Sequence, residues 1–269
     1  MENINIIVVG ASGKMGQAII KEILESSDLH LVRAIDIKSS PRIGHDAGEL
    51  FGVQSNIKIS SDLSIDDLEV DVLIDFTRPE ASMNYIDFCL KNNLGYVLGT
   101  TGFSEIEKNK ISNAAKKIPI CFAPNMSIGV NVLISLVEKA TQSLHEEFDI
   151  EILEAHHKHK VDSPSGTAIR LGEEVAKASN RNLKDNAVYS REGIQKAREK
   201  GDIGFSVIRG GDIVGDHTVV FAGDGERIEL THKAGSRTTF SKGAIKAAKF
   251  LKKQTHGLFD MFDVLNLKK

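Results

Sequence analysis

The sequence has few of the residues that cross-link or stiffen small proteins. It contains two cysteines, Cys89 and Cys121, among 269 residues, which is too few for a disulfide framework or a four-thiolate zinc site. Two thiols of this kind are typical of a reducing compartment. Proline is also rare, with 5 residues against 23 glycines, so glycine marks most turns. A chain of this length can bury a sizeable core without cross-links, as one large or two modest domains.

Long apolar runs and an excess of one charge are missing too. No apolar stretch approaches the ~20 residues of a membrane span, and no basic region followed by an apolar one opens the chain. We therefore expect a cytoplasmic protein with no membrane partner. With 37 acidic residues and 34 lysines and arginines, the formal net charge is −3, which disfavours nucleic acid as a partner.

Two patterns divide the chain. Up to about residue 127, short apolar strands alternate with amphipathic helices, which predicts a parallel sheet with helices on both faces. Beyond it, strands separated by glycine-rich turns predict a smaller α+β domain with a mixed or antiparallel sheet, ending near residue 237. A helix is predicted over 241–253. The polar segment 180–201 is expected to be a surface excursion with a mobile loop.

A glycine-rich loop joins the first predicted strand, Ile4 to Val9, to the first helix. In its Gly10-x-x-Gly13-x-x-Gly16 spacing, the three glycines allow a tight turn, a close approach of a pyrophosphate and close packing of helix on strand. The start of the helix would offer N–H groups to the phosphates. Together with the strand–helix alternation, this loop predicts a Rossmann-like, doubly wound dinucleotide-binding fold.

Other residues in this half should lie beside the same ligand. Asp36 ends the second strand, where an acidic side chain accepts hydrogen bonds from an adenosine ribose, although it could also be a helix N-cap or a solvated strand end. The segments 99–102 and 123–126 follow later strands and are either cofactor loops or simple turns. Arg78 ends another strand, and a solvated arginine is an equal alternative there.

The most unusual segment, Glu154 to Ala168, holds three histidines and two lysines within positions 156–160. The lysines would oppose a metal ion and no thiol or carboxylate pattern completes a site, so we predict no metal. Histidine exchanges protons near neutral pH and lysine holds carboxylates, which favours a proton-transfer and anion site over a solvated loop. Ser165 is a predicted N-cap, and the N–H groups after it would favour a carboxylate. A small dicarboxylate substrate suits this segment.

Together these motifs resemble the 4-hydroxy-tetrahydrodipicolinate reductases, long called dihydrodipicolinate reductases, of the diaminopimelate route to lysine. The likeness runs nearly end to end and is most specific at 154–167, where the His-His-x-His-Lys-x-Asp-x-Pro-Ser-Gly-Thr string is intact. The resemblance implies a homotetramer. Each subunit would have a nicotinamide-binding domain, completed by the C-terminal segment (1–127 and 238–269), and a substrate-binding and assembly domain (128–237).

By position, the resemblance also assigns roles. His156 corresponds to the family's proton donor or acceptor, and Lys160 to its general acid and a substrate-carboxylate contact. The other substrate-binding positions are His157, Gly166, Thr167 and Arg237, the last of which could equally be a surface arginine. Ser165 is added to the substrate site as the predicted N-cap of the helix start. The cofactor-binding positions are Gly10, Ala11, Ser12, Gly13, Lys14, Met15, Asp36, Arg78, Gly99, Thr100, Thr101, Ala123, Pro124, Asn125 and Met126.

The implied reaction is hydride transfer from NAD(P)H to a ring carbon conjugated with an imine, then protonation, with loss of water. Many members carry an arginine after the acidic ribose residue, where it meets the 2′-phosphate of NADPH. Here that position is Ile37, followed by Lys38. We therefore expect NADH to be preferred, with NADPH possible through Lys38.

Two other functions compete with this interpretation. The first is a related reductase acting on a semialdehyde or a sugar. An aldehyde dehydrogenase of this shape would need a nucleophilic cysteine, and Cys121 lies within a predicted buried strand with no histidine near it in sequence. The second is a non-catalytic dinucleotide sensor, which would have no reason to keep the histidine and lysine string.

Overall fold

The computed structural model describes residues 3–65, 68–236 and 238–268. They divide into two compact units, one containing the chain up to Ile128 together with the C-terminal segment from residue 238, the other Gly129–Ser236. Among the described residues, no helix combines the length and the apolar character that crossing a membrane requires.

The elements follow the chain in an alternating succession and then in a strand-rich one. In order they are β1 (Ile4–Val9), α1 (Lys14–Leu24), β2 (Leu29–Ile35), a 3₁₀ helix (Glu49–Phe51), β3 (Ile59–Ser60), β4 (Val72–Asp75), α2 (Pro79–Asn92), β5 (Gly95–Leu98), α3 (Glu105–Ala114), β6 (Pro119–Phe122), α4 (Ile128–Leu144), β7 (Asp149–His156), α5 (Gly166–Ala178), α6 (Leu183–Asn186), β8 (Ala187–Val188), β9 (Ile203–Arg209), β10 (Gly215–Gly223), β11 (Glu226–Ala234), α7 (Thr238–Leu251), β12 (Gly257–Phe259) and α8 (Met261–Val264).

The first unit is built on a seven-stranded parallel sheet in the order β12-β6-β5-β4-β1-β2-β3. Because successive side chains of β1 point to opposite faces of the sheet, the strand contributes to two hydrophobic clusters. Ile6 and Val8 pack on the side of α1 and α7, while Ile7 and Val9 pack on the side of α2 and α3. Because both faces are covered, β1 is a continuous apolar run rather than an alternating one.

The second unit is built on a five-stranded mixed sheet in the order β11-β10-β7-β9-β8. β10 pairs antiparallel with both β11 and β7, whereas β9 runs parallel to β7 and β8. Val219 and Phe221 are fully buried with Ile150 and Ile152 on one face, over which α5 packs. The predicted fold class is confirmed: a Rossmann-like doubly wound sheet and a separate, smaller mixed sheet.

The polar segment 180–201 differs from the expected loop. It contains α6 and β8, and β8 extends the mixed sheet by pairing with β9. Arg191 donates hydrogen bonds to the carboxylate of Glu151 through Nη1 and Nη2, at 2.9 and 2.8 Å, and Arg198 Nε adds a third bond at 3.1 Å. The segment is therefore on the surface, as expected, but it is anchored to the sheet by ion pairs between residues distant in sequence.

Candidate functional site

The segments expected to bind a dinucleotide follow strands of the seven-stranded sheet. Gly10 to Gly13 follow β1, Asp36 follows β2, Arg78 follows β4, and the segments 99–101 and 123–126 follow β5 and β6. These strands are parallel neighbours, so all five segments lie at the same edge of the sheet. This is the edge at which open α/β sheets bind their ligands.

The glycine-rich loop has the geometry that a pyrophosphate needs. Gly10 has a φ of +67°, which favours glycine, and a Cβ on Gly16 would lie 2.2 Å from the carbonyl oxygen of Gly10. α1 starts directly after Gly13, which has no side chain to cap the helix. The first N–H groups of α1 can therefore donate hydrogen bonds to phosphate oxygens, and the loop fits a dinucleotide.

Asp36 is tied to this loop. Its carboxylate accepts the Ser12 N–H and the Ile37 N–H, both at 2.7 Å. The acidic group therefore lies beside the glycine-rich loop, where a ribose bound to that loop would reach it. The next side chain, Ile37, is 65% exposed and offers no charge to that position.

The remaining cofactor candidates differ in what they can offer. Arg78 is exposed at the N-cap position of α2, and Pro124 is exposed after β6. The side chains of Ala123 and Met126 are instead buried in the apolar core of the first unit. They can contact a ligand only through backbone atoms. Arg237, a candidate for the substrate, lies outside the described residues.

A buried carboxylate connects three segments at this edge. Asp75, at the end of β4, is fully buried and accepts hydrogen bonds from the backbone and hydroxyl of Thr77, at 2.7 and 2.6 Å, and from Tyr96 on β5 at 2.6 Å. Ser82 of α2 and Thr100 of the loop after β5 also donate to it. Asp75 thus holds the segments bearing Arg78 and Thr100 in place.

The histidine-rich string begins at the end of β7 in the second unit. His156 is the last residue of the strand and is 8% exposed. Its Nδ1 lies 2.6 Å from Oε2 of Glu154, two residues earlier on the same face. The opposite ring nitrogen, Nε2, makes no hydrogen bond to any described residue. A Cβ on Gly215 of β10 would come within 3.0 Å of Nε2, so glycine leaves this nitrogen uncrowded.

Glu154 is a buried carboxylate with four donors. Besides His156, Arg209 of β9 donates through Nη1 and Nη2, at 2.7 and 2.8 Å, and the Ser165 N–H donates at 2.9 Å. Burial alone raises the pKa of Glu154, but the hydrogen bonds from Arg209, His156 and Ser165 outweigh it and lower that pKa below the usual value. The carboxylate is therefore ionised and held in one orientation.

A second histidine packs against the first. His217 of β10 is 4% exposed, and its ring centroid lies 5.1 Å from that of His156, in an edge-to-face arrangement. Its Nε2 lies 3.1 Å from the hydroxyl of Ser165, which also caps α5 by accepting the Ala168 N–H. Burial and the neighbouring His156 lower the pKa of His217 to about 4. His217 is therefore neutral at physiological pH.

The other substrate candidates surround the end of β7. Lys160 is partly buried, with its ammonium 2.8 Å from Oδ1 of Asp162. The exposed Gly166 starts α5, followed by Thr167, and no atom lies within 4 Å of a Cβ built on Gly166. His157 follows His156, and its buried Nδ1 has no hydrogen-bond partner among the described residues. The structure thus brings His156, Lys160 and the start of α5 to one end of the mixed sheet.

Sequence reasoning missed Arg209 and His217 as parts of this site, and gave Glu154 no role. Glu154 and His156 could have been linked by the period-two alternation of a strand, which places both on one face. No local pattern points to Arg209 or His217. Their contacts with Glu154 and Ser165 span 55 and 52 residues.

The cysteines lie outside this chemistry. Cys121 is fully buried in β6, and burial, with Asp260 and Asp263 nearby, raises its pKa to about 12. Such a thiol is not a nucleophile near neutral pH.

Comparisons with known proteins agree along the whole chain. The family model described as "Dihydrodipicolinate reductase, N-terminus" matches residues 4–126, and that described as "Dihydrodipicolinate reductase, C-terminus" matches residues 129–265. Two similar relatives, both named 4-hydroxy-tetrahydrodipicolinate reductase, come from Nitrosospira multiformis and Nitrosomonas europaea. They are 51% and 52% identical to this chain over 270 and 268 residues, covering 100% of both chains in each case.

Solved structures show the same fold. A dipicolinate-bound dihydrodipicolinate reductase from a Paenisporosarcina species superposes with a TM-score of 0.77 at 22% identity, covering 97% of this chain and 98% of that one. A probable dehydrogenase from Thermotoga maritima superposes with a TM-score of 0.60 at 11% identity, covering 98% and 93%.

Proposed function

The chain belongs to the dihydrodipicolinate reductase family, and from that premise we propose that it reduces 4-hydroxy-tetrahydrodipicolinate to tetrahydrodipicolinate, with loss of water, in lysine biosynthesis. It is an NAD(P)H-dependent oxidoreductase. The observation that carries the proposal is the end of β7, where a histidine paired with a buried carboxylate lies among groups suited to a dicarboxylate.

The cofactor would be held by the edge of the seven-stranded sheet. The glycine-rich loop and the start of α1 would take the pyrophosphate, and Asp36 the adenosine ribose. When bound, the reduced nicotinamide supplies a hydride to the ring of the substrate. The residues after β4, β5 and β6 would line the rest of the cofactor site. Asp75 holds two of these segments in place through hydrogen bonds from Thr77 and Thr100.

On the protein's side, the chemistry would be proton transfer. His156 is suited to it because Nδ1 faces a carboxylate and Nε2 is left for the substrate. Lys160 would hold a substrate carboxylate and act as a general acid. The N–H groups at the start of α5, at Gly166 and Thr167, would hold the other end of the dicarboxylate, with His157 and Arg237 as further contacts.

We propose a preference for NADH over NADPH. Asp36 repels a 2′-phosphate, and the exposed Ile37 provides no positive charge to offset that repulsion. Lys38, also exposed, is the group that would allow some use of NADPH.

We also propose that the subunits form a homotetramer through the mixed sheet. One face of that sheet carries exposed apolar side chains, with Leu153 at 38% and Ile208 at 57% exposure. The opposite face is covered by α5 and holds the catalytic candidates. A second copy of the chain, presenting the same apolar face, is the partner that would bury these side chains.

Two alternatives are disfavoured by particular residues. A semialdehyde dehydrogenase would need a reactive thiol, whereas Cys121 is buried with a raised pKa. A non-catalytic sensor would not require the hydrogen-bonded His156 and Glu154 at the end of β7.

The test is an assay of NADH oxidation with substrate made in situ from pyruvate and aspartate semialdehyde by the upstream synthase. Wild-type protein should turn over, and His156→Ala and Lys160→Ala should each lower kcat by ~10²-fold or more. Fluorescence titration should show NADH binding unchanged in both variants. NADH binding without turnover by wild type would eliminate the reductase and support the sensor.

A further inference from the structure

We propose that Glu154 is a positioning residue for the reaction: its carboxylate, held by Arg209, fixes the orientation and tautomer of His156 so that Nε2 exchanges the proton with the substrate. This inference rests on the proposed function, because it assigns the route by which His156 does its work. It concerns residues to which sequence reasoning gave no role.

The imidazole of His156 has one polar partner among the described residues, the carboxylate oxygen 2.6 Å from Nδ1. An ionised carboxylate only accepts hydrogen bonds, so Nδ1 must carry a hydrogen. In the neutral ring Nε2 is then the bare nitrogen, and in the protonated ring it is the proton donor. Gly215 keeps side-chain atoms away from Nε2, so the substrate can approach that nitrogen.

The Glu154 carboxylate is held by several donors at once. Its two oxygens accept from four nitrogens, and three of these, the two guanidinium nitrogens of Arg209 and the backbone N–H of Ser165, cannot act as acceptors. An amide in the same place would direct its own N–H groups at one of those donors. The site is therefore built for a carboxylate, and the bidentate Arg209 prevents it from rotating away from His156.

The Glu154 carboxylate also links proton transfer to substrate binding. Oxygen Oε1 of the same carboxylate accepts the backbone N–H of Ser165, the N-cap of α5. Ser165 is followed by Gly166 and Thr167, whose N–H groups are proposed to hold a substrate carboxylate. One buried side chain thus aligns the proton donor with the helix start that would orient the substrate.

The proton balance follows from these contacts. When the reduced ring takes its proton, the Nε2–H bond of protonated His156 breaks and a new bond to the substrate forms. The ring becomes neutral and keeps its other hydrogen on Nδ1, which still donates it to the Glu154 carboxylate. The negative charge of Glu154 stabilises the protonated ring before transfer, and solvent returns the proton afterwards.

Several charged or titratable groups surround His156. They are Glu154 on its own strand β7, Arg209 on β9, His217 on β10, and Lys160 and Asp162 in the loop after β7. The start of α5 adds the uncharged Ser165. Glu154 supplies the direct anionic contact, and Arg209 offsets part of its charge.

The experiment is a double-mutant cycle with Glu154→Gln, His156→Ala and the double variant. Glu154→Gln should lower kcat about 10- to 100-fold, with little change in the NADH dissociation constant. In the His156→Ala background the same change should cost nothing further, because its effect passes through the missing ring. A merely structural role would lower both backgrounds by the same factor, and that result would overturn the inference.

Glu151→Gln is the matched control. Glu151 lies on the same strand and is also held by arginine, in its case Arg191 and Arg198, but its carboxylate bonds to neither His156 nor Ser165. It should leave kcat unchanged. If His156→Ala itself keeps full turnover, the assignment of His156 under the proposed function fails, and the role of Glu154 fails with it.

A measurement on the wild type covers the case in which Glu154→Gln does not fold. Nitrogen NMR of histidine-labelled protein, with the His156 signals identified by difference from His156→Ala, reports which ring nitrogen carries hydrogen. We expect Nδ1 to be protonated on both sides of the titration. A neutral ring that is bare at Nδ1 would contradict the proposal.

Discussion

Single residues decide which cofactor this chain should prefer. Asp36 accepts two backbone N–H groups beside the glycine-rich loop, and Ile37 is exposed next to it. An anionic carboxylate with no arginine directly after it in the sequence favours a ribose hydroxyl over a phosphate at this position. A single added charge should therefore change the preference.

Ile37→Arg should lower the KM for NADPH about tenfold, because one charge-assisted contact to a phosphate contributes on the order of 1.5 kcal/mol. The KM for NADH should change little. Ile37→Met, uncharged and of similar volume, is the control and should leave both values as they are. Steady-state kinetics with both cofactors makes the comparison, and a wild type that already has the lower KM for NADPH would contradict the proposed preference.

His217 makes stability depend on pH. Its pKa is about 4 in the folded chain, held down by burial, against about 6.5 for an exposed histidine. Between these values the unfolded chain binds the additional proton, so stability falls as the pH drops from about 6.5 towards 4.

His217→Gln should reduce the slope of unfolding free energy against pH by the contribution of about one proton, even if the substitution also lowers stability at neutral pH. Urea-unfolding midpoints measured from pH 7 to pH 4 would show it, with the exposed His30→Gln as the control. Equal slopes for wild type and His217→Gln would mean that His217 is not held neutral by the fold.

At the scale of elements, both candidate sites depend on buried carboxylates that join neighbouring segments. Asp75 joins β4, α2, β5 and the loop after β5, and Glu154 joins β7, β9 and the start of α5. Asp75 ends β4 and Glu154 lies two residues before the end of β7, close to where each strand gives way to a loop that side chains must hold. Element ends with such anchors can carry functional groups without flexible loops.

Asp75→Asn should weaken NADH binding about tenfold and lower the thermal midpoint, since an amide cannot accept from all these donors. Tyr96→Phe, which removes one donor and keeps the carboxylate, should have a smaller effect on both. Fluorescence titration and thermal unfolding give the two readouts. NADH affinity in Asp75→Asn equal to that of wild type would show that the loops keep their positions without this carboxylate.

At the scale of the whole molecule, the open face of the mixed sheet carries the proposed assembly. Leu153→Glu with Ile208→Glu places two charges on that face and should dissociate the tetramer into smaller species. Ile106→Glu on α3, at a side chain that is 82% exposed, is the control and should leave the assembly intact. Analytical ultracentrifugation distinguishes the outcomes, and a double variant that sediments like wild type would show that another surface forms the interface.

Local patterns predicted much of this protein. The period of apolar residues indicated β1 and, to within three residues at each end, the helix predicted over 241–253, because periodicity acts over short distances along the chain. The histidine-rich string and the glycine-rich loop identified the family for the same reason. The strands β3, β8 and β12 were not predicted, because each has two or three residues and is stabilised by pairing with a neighbour.

The sequence by itself therefore determined the fold class, the glycine-rich loop and the proton-transfer candidate His156. Only the tertiary structure decided the order of strands, which places β7 between β9 and β10 and so brings Arg209 and His217 to His156. It also decided that Ala123 and Met126 have buried side chains and that Asp75 and Glu154 are anchors. The physical reason is that burial and hydrogen bonding join residues more than fifty positions apart, and no local pattern along the chain records such contacts.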